Sequence, residues 1–378
     1  MGKRSILFAI HYLELGGAEM SLIGLLESLD YPKVEVDLFV YSHQGELMKH
    51  IPPQVSLLPE IPEYKQIERP IKDVLKDGYF RIALARLGAK RRFAKYAKQK
   101  RPIDGAAVFS YVAKSLSPIL PDINPGKEYD VAVSYLTPHN FVLAKVRAKE
   151  RVAWIHTDYS RIDVNTELEL PVWSGYDRIV SISPDVTKSF LKVFPSLEGK
   201  IEERPNVVPS EYVRKRSEEI SLQTVEKEMP KVPGRINLLS VGRFCQAKNY
   251  DNVPDICRRI KEKGVDVCWY LIGYGGDEGL IRNRIAEAGM AEYVRILGKK
   301  DNPYPYMMAC DIYVQPSRYE GSPMTVLEAN ALGKPIVLTA FPTAGSVAGS
   351  CSNCAIVPLD NGGCAEGLVP ILIKEKQR

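Results

Sequence analysis

The chain has 378 residues, 45% of them hydrophobic and 26% charged, a balance that excludes a mostly disordered, collagen-like or coiled-coil protein. Its length is roughly that of two domains, and 51 basic against 46 acidic residues leave a net charge of only +5. No stretch approaches the roughly 20 apolar residues of a membrane helix. The run Ile6–Ile10 is too short for a signal-peptide core and is followed by His11 and Glu14, so a cytoplasmic protein is expected.

Ser5–Ile10 reads as the first strand. Gly16-Gly17-Ala18-Glu19 then opens the helix-period segment Ala18–Leu29, placing glycine backbone and free N–H groups where an anion would be favoured. After the strand Val34–Tyr41, residues 81–101 carry nine cations and no Asp or Glu: Arg81, Arg86, Lys90, Arg91, Arg92, Lys95, Lys98, Lys100 and Arg101. Ile82, Leu84, Leu87, Phe93 and Tyr96 are interleaved with them. Cations among aliphatic and aromatic groups suit a helix lying at a lipid surface, so residues 70–101 are expected to hold the protein to an anionic membrane. The competing reading is a solvated helix whose apolar residues pack on the first domain.

Strands follow at Val131–Tyr135, Val152–His156 and Arg178–Ile182, with a helical pattern over Asp185–Phe194. The rhythm then stops. Residues 206–234 are dense in charge and contain Pro230 and Pro233, which predicts a linker between domains at 1–205 and 235–378.

Strand Ile236–Val241 leads into Gly242-Arg243-Phe244-Cys245-Gln246-Ala247-Lys248. Arg243, with its planar fork, and Lys248, a point charge, suit a diphosphate clamp at a strand's carboxyl end. Strand Val267–Ile272 ends at Gly273, a tight turn with room for a flat ligand, and Val294–Leu297 follows. Strand Ile312–Gln315 precedes the strongest signal, Glu320-Gly321-Ser322-Pro323-Met324-Thr325-Val326-Leu327-Glu328-Ala329. Pro323 suits the first helical position, and Met324 and Thr325 present unpaired backbone N–H groups to a phosphate. Glu320 and Glu328 suit sugar hydroxyls at opposite ends of one ligand. Pro335–Thr339 reads as the last strand.

All seven cysteines lie between Cys245 and Cys364, and the odd count argues for reduced thiols. Cys351, Cys354 and Cys364 have part of a zinc spacing, but every histidine lies at or before His156 and no second CxxC exists, so core thiols are expected. Apolar strands alternating with helices imply an α/β protein of two doubly wound Rossmann-like domains facing a central cleft. The lack of a GxGxxG followed by an acid argues against a dinucleotide site.

The Gly16-Gly17 loop, the Arg243/Lys248 pair and the two glutamates separated by seven residues occur in one order along the chain. Together they resemble the retaining glycosyltransferases of family 4, with the two-domain GT-B fold, over nearly the whole chain. The resemblance implies transfer of a sugar from a UDP- or GDP-linked donor to an acceptor hydroxyl, with retention. It places Glu320 on the donor sugar, Glu328 on the ribose, and Arg243 and Lys248 on the departing diphosphate. Gly16, Gly17, Gly273, Gly321, Ser322, Met324 and Thr325 would complete the donor site. His156, at the end of its strand, matches a histidine often found beside the donor sugar, and His11 and His139 are candidates for the acceptor. Such enzymes often extend lipid-linked glycans of cell-surface polymers, which implies a glycan or lipid-linked glycan acceptor and a peripheral place on the inner membrane face.

With no Asp-x-Asp at a strand end, and two cations able to do a metal's work, no metal or other cofactor is expected. Two departures stand out: Pro323 replaces a small residue and removes one backbone donor, and only residues 363–378 remain for the family's long final helix, so the terminus reads as short or truncated. A nucleotide-sugar 2-epimerase of the same fold is the main alternative. Nucleic-acid binding through residues 81–101 is disfavoured by the modest net charge and the lack of an RNA-binding module.

Overall fold

The computed structural model describes residues 2–102, 105–160, 162–208 and 210–377; Met1, Ile103, Asp104, Arg161, Pro209 and Arg378 lie outside the described residues. Contacts within the chain divide it into two units, Met1–Val207 and Val208–Arg378.

In the first unit, β1 Arg4–Ile10, β2 Val34–Val40, β3 Ser56–Leu57, β4 Tyr129–Ser134, β5 Ala148–Ile155, β6 Arg178–Ser181 and β7 Ile201–Glu203 form one sheet. Its order is β3-β2-β1-β4-β5-β6-β7, and all pairs are parallel. The chain moves outward from β1 to β3, then returns to start again at β4. The carboxyl ends of β1 and β4 therefore flank the point where strand order reverses, the place where open α/β sheets leave a crevice.

The second unit repeats the plan with β8 Ile236–Val241, β9 Val267–Ile272, β10 Val294–Gly298, β11 Ile312–Gln315, β12 Ile336–Thr339 and β13 Cys354–Val357. Here the order is β10-β9-β8-β11-β12-β13, again parallel throughout, and the reversal falls between β8 and β11. Every residue of β8 and β9 is buried, as a sheet covered on both faces requires. The polar members are satisfied: Ser240 Oγ donates to Val314 O at 2.6 Å and accepts from Trp269 Nε1 at 2.9 Å.

The stretch expected as a linker, 206–234, instead carries two helices, Ser210–Ser217 and Leu222–Glu228, which pack on helices Tyr304–Ala309 and Met324–Ala331 of the second unit. Each has few buried apolar residues, chiefly Val213 and Val225, so its period is thin in the sequence. Polar contacts hold them in place. Asn302 Nδ2 donates to Arg216 O at 2.7 Å, and Lys300 Nζ bonds Glu228 at 2.9 Å. The final helix, Asn361–Lys376, packs on Val253–Glu262 of the same unit. Cys364 lies in the second unit's apolar core, while Cys351 Sγ donates to Val347 O and stands beside the Cys354 thiol.

Candidate functional site

At the reversal point of the second sheet, the loops after β8 and β11 bring two predicted residues together. Lys248 Nζ lies 2.7 Å from Glu320 Oε1, with the side chains 17% and 11% exposed. The same oxygen accepts from Gln315 Nε2 at 2.8 Å and from Ser317 Oγ at 2.5 Å. Three donors on one carboxylate oxygen fix the Glu320 rotamer and direct Oε2 away from the cluster. Gln315 is itself held by Tyr313 OH at 2.9 Å, and Thr343 Oγ1 donates to Glu320 O at 2.9 Å.

A second lock joins the two loops. Arg318 makes a two-pronged pair with Asp251, at 2.9 and 2.7 Å, and its backbone N–H donates to Ala247 O at 2.8 Å. This pins the turn that carries Lys248 beside the turn that carries Glu320. Arg243, on the same loop as Lys248, is exposed. Gln315, Ser317 and Arg318 were not singled out from the sequence. A glutamine ending an otherwise apolar strand was the available signal.

The loop after β9 lies directly against the loop after β8. Gly242 N–H donates to Ile272 O at 3.0 Å and Phe244 N–H to Tyr274 O at 2.7 Å. A Cβ at Gly273, whose φ is +154°, would fall 1.9 Å from Gly242 O, so only glycine fits there.

Pro323 is the residue before the helix Met324–Ala331, one position earlier than expected. Met324 and Thr325 thus form the first turn, ahead of the bond from Val326 N–H to Pro323 O at 3.1 Å, with Gly321 and Ser322 in the loop leading to it. Glu328 points into the unit and is 3% exposed, with its Oε1 accepting from Tyr304 OH at 3.1 Å. Burial raises its carboxyl to about 7, against the opposing pull of the Tyr304 bond. Tyr304 is braced edge-on by Tyr212, at 6.4 Å between centroids, and the Arg216 guanidinium stands over Tyr212 at 5.7 Å. The helix read as linker thus supports the second glutamate.

That buried carboxyl has a measurable consequence. Raised from 4.5 to about 7 in the fold, it contributes stability that is fully present below pH ~4.5 and lost as pH climbs through ~7. Glu328→Gln keeps an oxygen for Tyr304 without the charge. The variant is expected to gain on the wild type by on the order of 2 kcal/mol between pH 5 and pH 8 in urea melts. A difference that stays constant across that range would remove the buried ionisation.

In the first unit, Gly16 precedes the helix Gly17–Glu27. The Glu19 carboxylate lies over it, 2.2 Å from where a Gly16 Cβ would be, so this helix start is already faced by an anionic group of its own. From that helix Ser21 Oγ bonds Tyr135 OH at 2.9 Å, and the Tyr135 ring packs at a tilt against His156 at 4.6 Å and Trp154 at 5.0 Å. His156 Nε2 is shielded and has no partner, and burial depresses its pKa to about 3, so the ring is neutral. His139 is wedged against Trp173 at 4.3 Å, with Nδ1 2.8 Å from Ser134 Oγ, and burial likewise lowers it to about 3. Its ring also borders a cavity lined by Thr137, Tyr159 and Trp173, and its Nε2 has no partner. His11 directly follows β1 and pairs with Glu68, a residue the sequence reading did not pick out.

Residues 223–361 match the family model described as glycosyl transferases group 1. Among curated proteins, the chain is 30% identical over 105 residues to a putative glycosyltransferase, EpsF of Bacillus subtilis, covering 28% of this chain and 27% of that protein. It is 30% identical over 110 residues to the amylovoran biosynthesis glycosyltransferase AmsK of Erwinia amylovora, covering 27% of each. The matched segment is thus about a quarter of the length of those two relatives. Among solved structures, HepE of Anabaena in complex with UDP and glucose aligns over 98% of this chain and 90% of its own, with a TM-score of 0.65 at 14% identity. WaaG, a glycosyltransferase involved in lipopolysaccharide biosynthesis, aligns over 97% and 90%, with a TM-score of 0.60 at 13% identity. The family match thus falls on the second unit, and the two parallel α/β sheets have the GT-B fold of those two solved structures.

Proposed function

We propose that the protein transfers a sugar, with retention, from a nucleoside-diphosphate donor to an acceptor hydroxyl in the synthesis of a cell-surface polysaccharide. The observation that carries this is the cluster at the β8/β11 reversal, where Lys248, on the loop it shares with Arg243, is locked to Glu320 on the loop after β11. Cations and helix-start amides aimed at a leaving diphosphate stabilise the charge that grows in the transition state. Glu320 Oε2 is free of the three-donor cluster and suits a donor-sugar hydroxyl, while buried Glu328 suits the ribose. Named relatives act in amylovoran biosynthesis and lipopolysaccharide core biosynthesis, and HepE binds UDP and glucose, which supports the reading. The 2-epimerase alternative has no comparable support.

Arg243 and Lys248 would take a metal's place, so no divalent ion or other cofactor is required. A thermal-shift screen tests this directly. UDP or GDP at about 100 times its dissociation constant should add about 2.7 kcal/mol, and the shift should persist in EDTA and shrink in Arg243→Ala. No shift with either nucleotide would sink the donor assignment, and a shift abolished by EDTA would sink the metal-free one.

The glycan or lipid-linked glycan acceptor would be met at an anionic membrane through the helix Phe80–Lys100. The structure narrows the apolar set read from the sequence. Ile82 is buried, and Phe93 and Tyr96 pack on Tyr111 at 6.1 and 5.9 Å, so the solvated-helix reading accounts for that side. Phe80 and Leu84 remain 61% and 66% exposed. At helical spacing they share one face with the exposed cations Arg91, Lys95 and Lys98. Two apolar anchors and three cations at roughly 1 kcal/mol each give salt-sensitive retention. Co-sedimentation with phosphatidylglycerol vesicles at low salt should fall at least fivefold when Arg91, Lys95 and Lys98 become Glu. Equal sedimentation of both proteins would leave the stripe as ordinary surface. No helix among the described residues is long and apolar enough to cross a membrane.

A further inference from the structure

In the second unit, the sequence Cys351-Ser352-Asn353-Cys354 places two thiols where the core-thiol reading does not fit. Both are partly exposed, while Cys364 is buried and takes no part. Cys351 follows the helix Ala344–Gly349, and its Sγ lies 3.4 Å from Val347 O. Cys354 opens β13, in register with Ile336 of β12. The bend between them brings the two thiols into hydrogen-bond contact. Because the strands are parallel, this is the amino-end edge of the sheet, opposite the loops after β8, β9 and β11.

The bend is held from both sides. Ser352 N–H and Oγ both donate to Asn330 Oδ1, at 2.9 and 3.0 Å, and Ile336 N–H donates to Asn353 O at 2.9 Å. These bonds fix the two residues between the cysteines, so the thiols face each other before any reaction and little ordering entropy is left to lose when they join. The bond that Cys354 donates lowers the Cys351 thiol below its ordinary range, against the raising effect of burial, and the same bond raises Cys354. Cys351 is therefore the first of the pair to form a thiolate, the form that reacts with oxidants. Among the described residues no group of three or more His, Cys, Asp or Glu side chains could hold a metal ion, so the pair lacks the further ligands that structural zinc needs.

We infer that Cys351 and Cys354 form a reversible oxidation site, a dithiol that a hydroperoxide closes to a disulfide. The Cys351 thiolate attacks a peroxide oxygen and the O–O bond breaks. The departing hydroxide or alkoxide takes the proton that Cys351 gave up and leaves as water or an alcohol. Cys351 then carries a sulfenic acid. The Cys354 sulfur attacks the Cys351 sulfur, the S–O bond breaks, and the hydroxide takes the Cys354 proton and leaves as water. Two thiols and one hydroperoxide thus give one disulfide, one water and one further water or alcohol, with two electrons passing from sulfur to oxygen. A small thiol such as glutathione restores the pair by exchange. One thiolate attacks a disulfide sulfur, a second breaks the mixed disulfide, and the two small thiols leave joined as their own disulfide. Partly exposed sulfurs at a surface bend admit both reagents. Neither direction needs a nucleotide or a sugar, so the site stands whatever the donor.

Titration of the reduced, folded full chain with hydrogen peroxide, read by intact mass and peptide mapping, tests it. Stoichiometric peroxide should lower the mass by about 2 Da, with the link mapped to Cys351 and Cys354, and glutathione should reverse the change. The link should form at least about tenfold faster than Cys245, the remaining partly exposed thiol, is oxidised. Cys354→Ser should accumulate a sulfenic acid at Cys351 that dimedone traps, whereas Cys351→Ser should lose the mass change and leave Cys354 unlabelled. Should either variant fail to fold, the mapped link and its rate relative to Cys245 in the wild type carry the comparison. Absence of the link, a link between other cysteines, or a rate no greater than that of Cys245 overturns the inference. Dimedone on Cys354 in Cys351→Ser, at the rate seen for Cys351 in Cys354→Ser, overturns the order of attack.

Discussion

Glu320→Gln is expected to lower sugar transfer by about 10²–10³-fold while leaving UDP or GDP affinity within about threefold of wild type or tighter. The direction follows from the bonds. Glu320 Oε1 accepts from Lys248, Gln315 and Ser317, and an amide oxygen in that place keeps the two neutral bonds. The second oxygen becomes an NH₂ group, which cannot accept from a sugar hydroxyl. Lys248 loses its counter-charge, so more of its field reaches a bound diphosphate. Initial rates and nucleotide titration on the same preparation separate these effects. A nucleotide affinity that falls as far as turnover does would make Glu320 a structural partner of Lys248, and unchanged turnover would remove it from the reaction. Because the two side chains share one bond, Lys248→Ala should cost less in the Glu320→Gln background than alone.

The sequence carried the interior of both sheets well. β8, β9 and β11 lie where the sequence placed them, because a strand buried on both faces reads as a nearly continuous apolar run, interrupted here only by Asn237, Ser240 and the terminal Gln315. The strands that escaped notice, β3, β7 and β13, are all at sheet edges, two to four residues long and partly exposed. An edge strand needs only one partner, so its sequence is loosely constrained. The pairing of Lys248 with Glu320 was not legible, although both residues were singled out. Their meeting depends on Arg318 and Asp251 holding two loops that are far apart in sequence. Likewise Glu68 lies 57 residues from His11, and what brings them together is Arg86 gripping two backbone carbonyls. Such clamps obey no period. The burial of Glu328 was foreshadowed by its apolar neighbours, but its Tyr304 partner stands in a short helix with no distinguishing pattern.

Gly273→Ala is expected to destabilise the second unit by about 3–5 kcal/mol and to abolish nucleotide binding at concentrations that saturate the wild type. A methyl group there would lie 1.9 Å from Gly242 O and 3.0 Å from a Phe244 ring carbon, and the φ of +154° is one that a Cβ resists in any surroundings. The obstructing atom is backbone, so no rotamer change relieves the clash. The loop after β9 has to lift away from the loop after β8, breaking the bond from Phe244 N–H to Tyr274 O. That movement would displace the turn that sets Arg243 and Lys248. Gly276 is the control within the same loop. A Cβ there meets nothing within 4 Å, so Gly276→Ala should change stability by less than about 0.5 kcal/mol and leave nucleotide binding intact. Urea melts and the thermal-shift response to UDP or GDP read both outcomes. If Gly273→Ala unfolds at the wild-type midpoint, the two loops do not depend on their close approach. If it is destabilised yet binds nucleotide normally, the loop after β9 supports the fold without shaping the donor site.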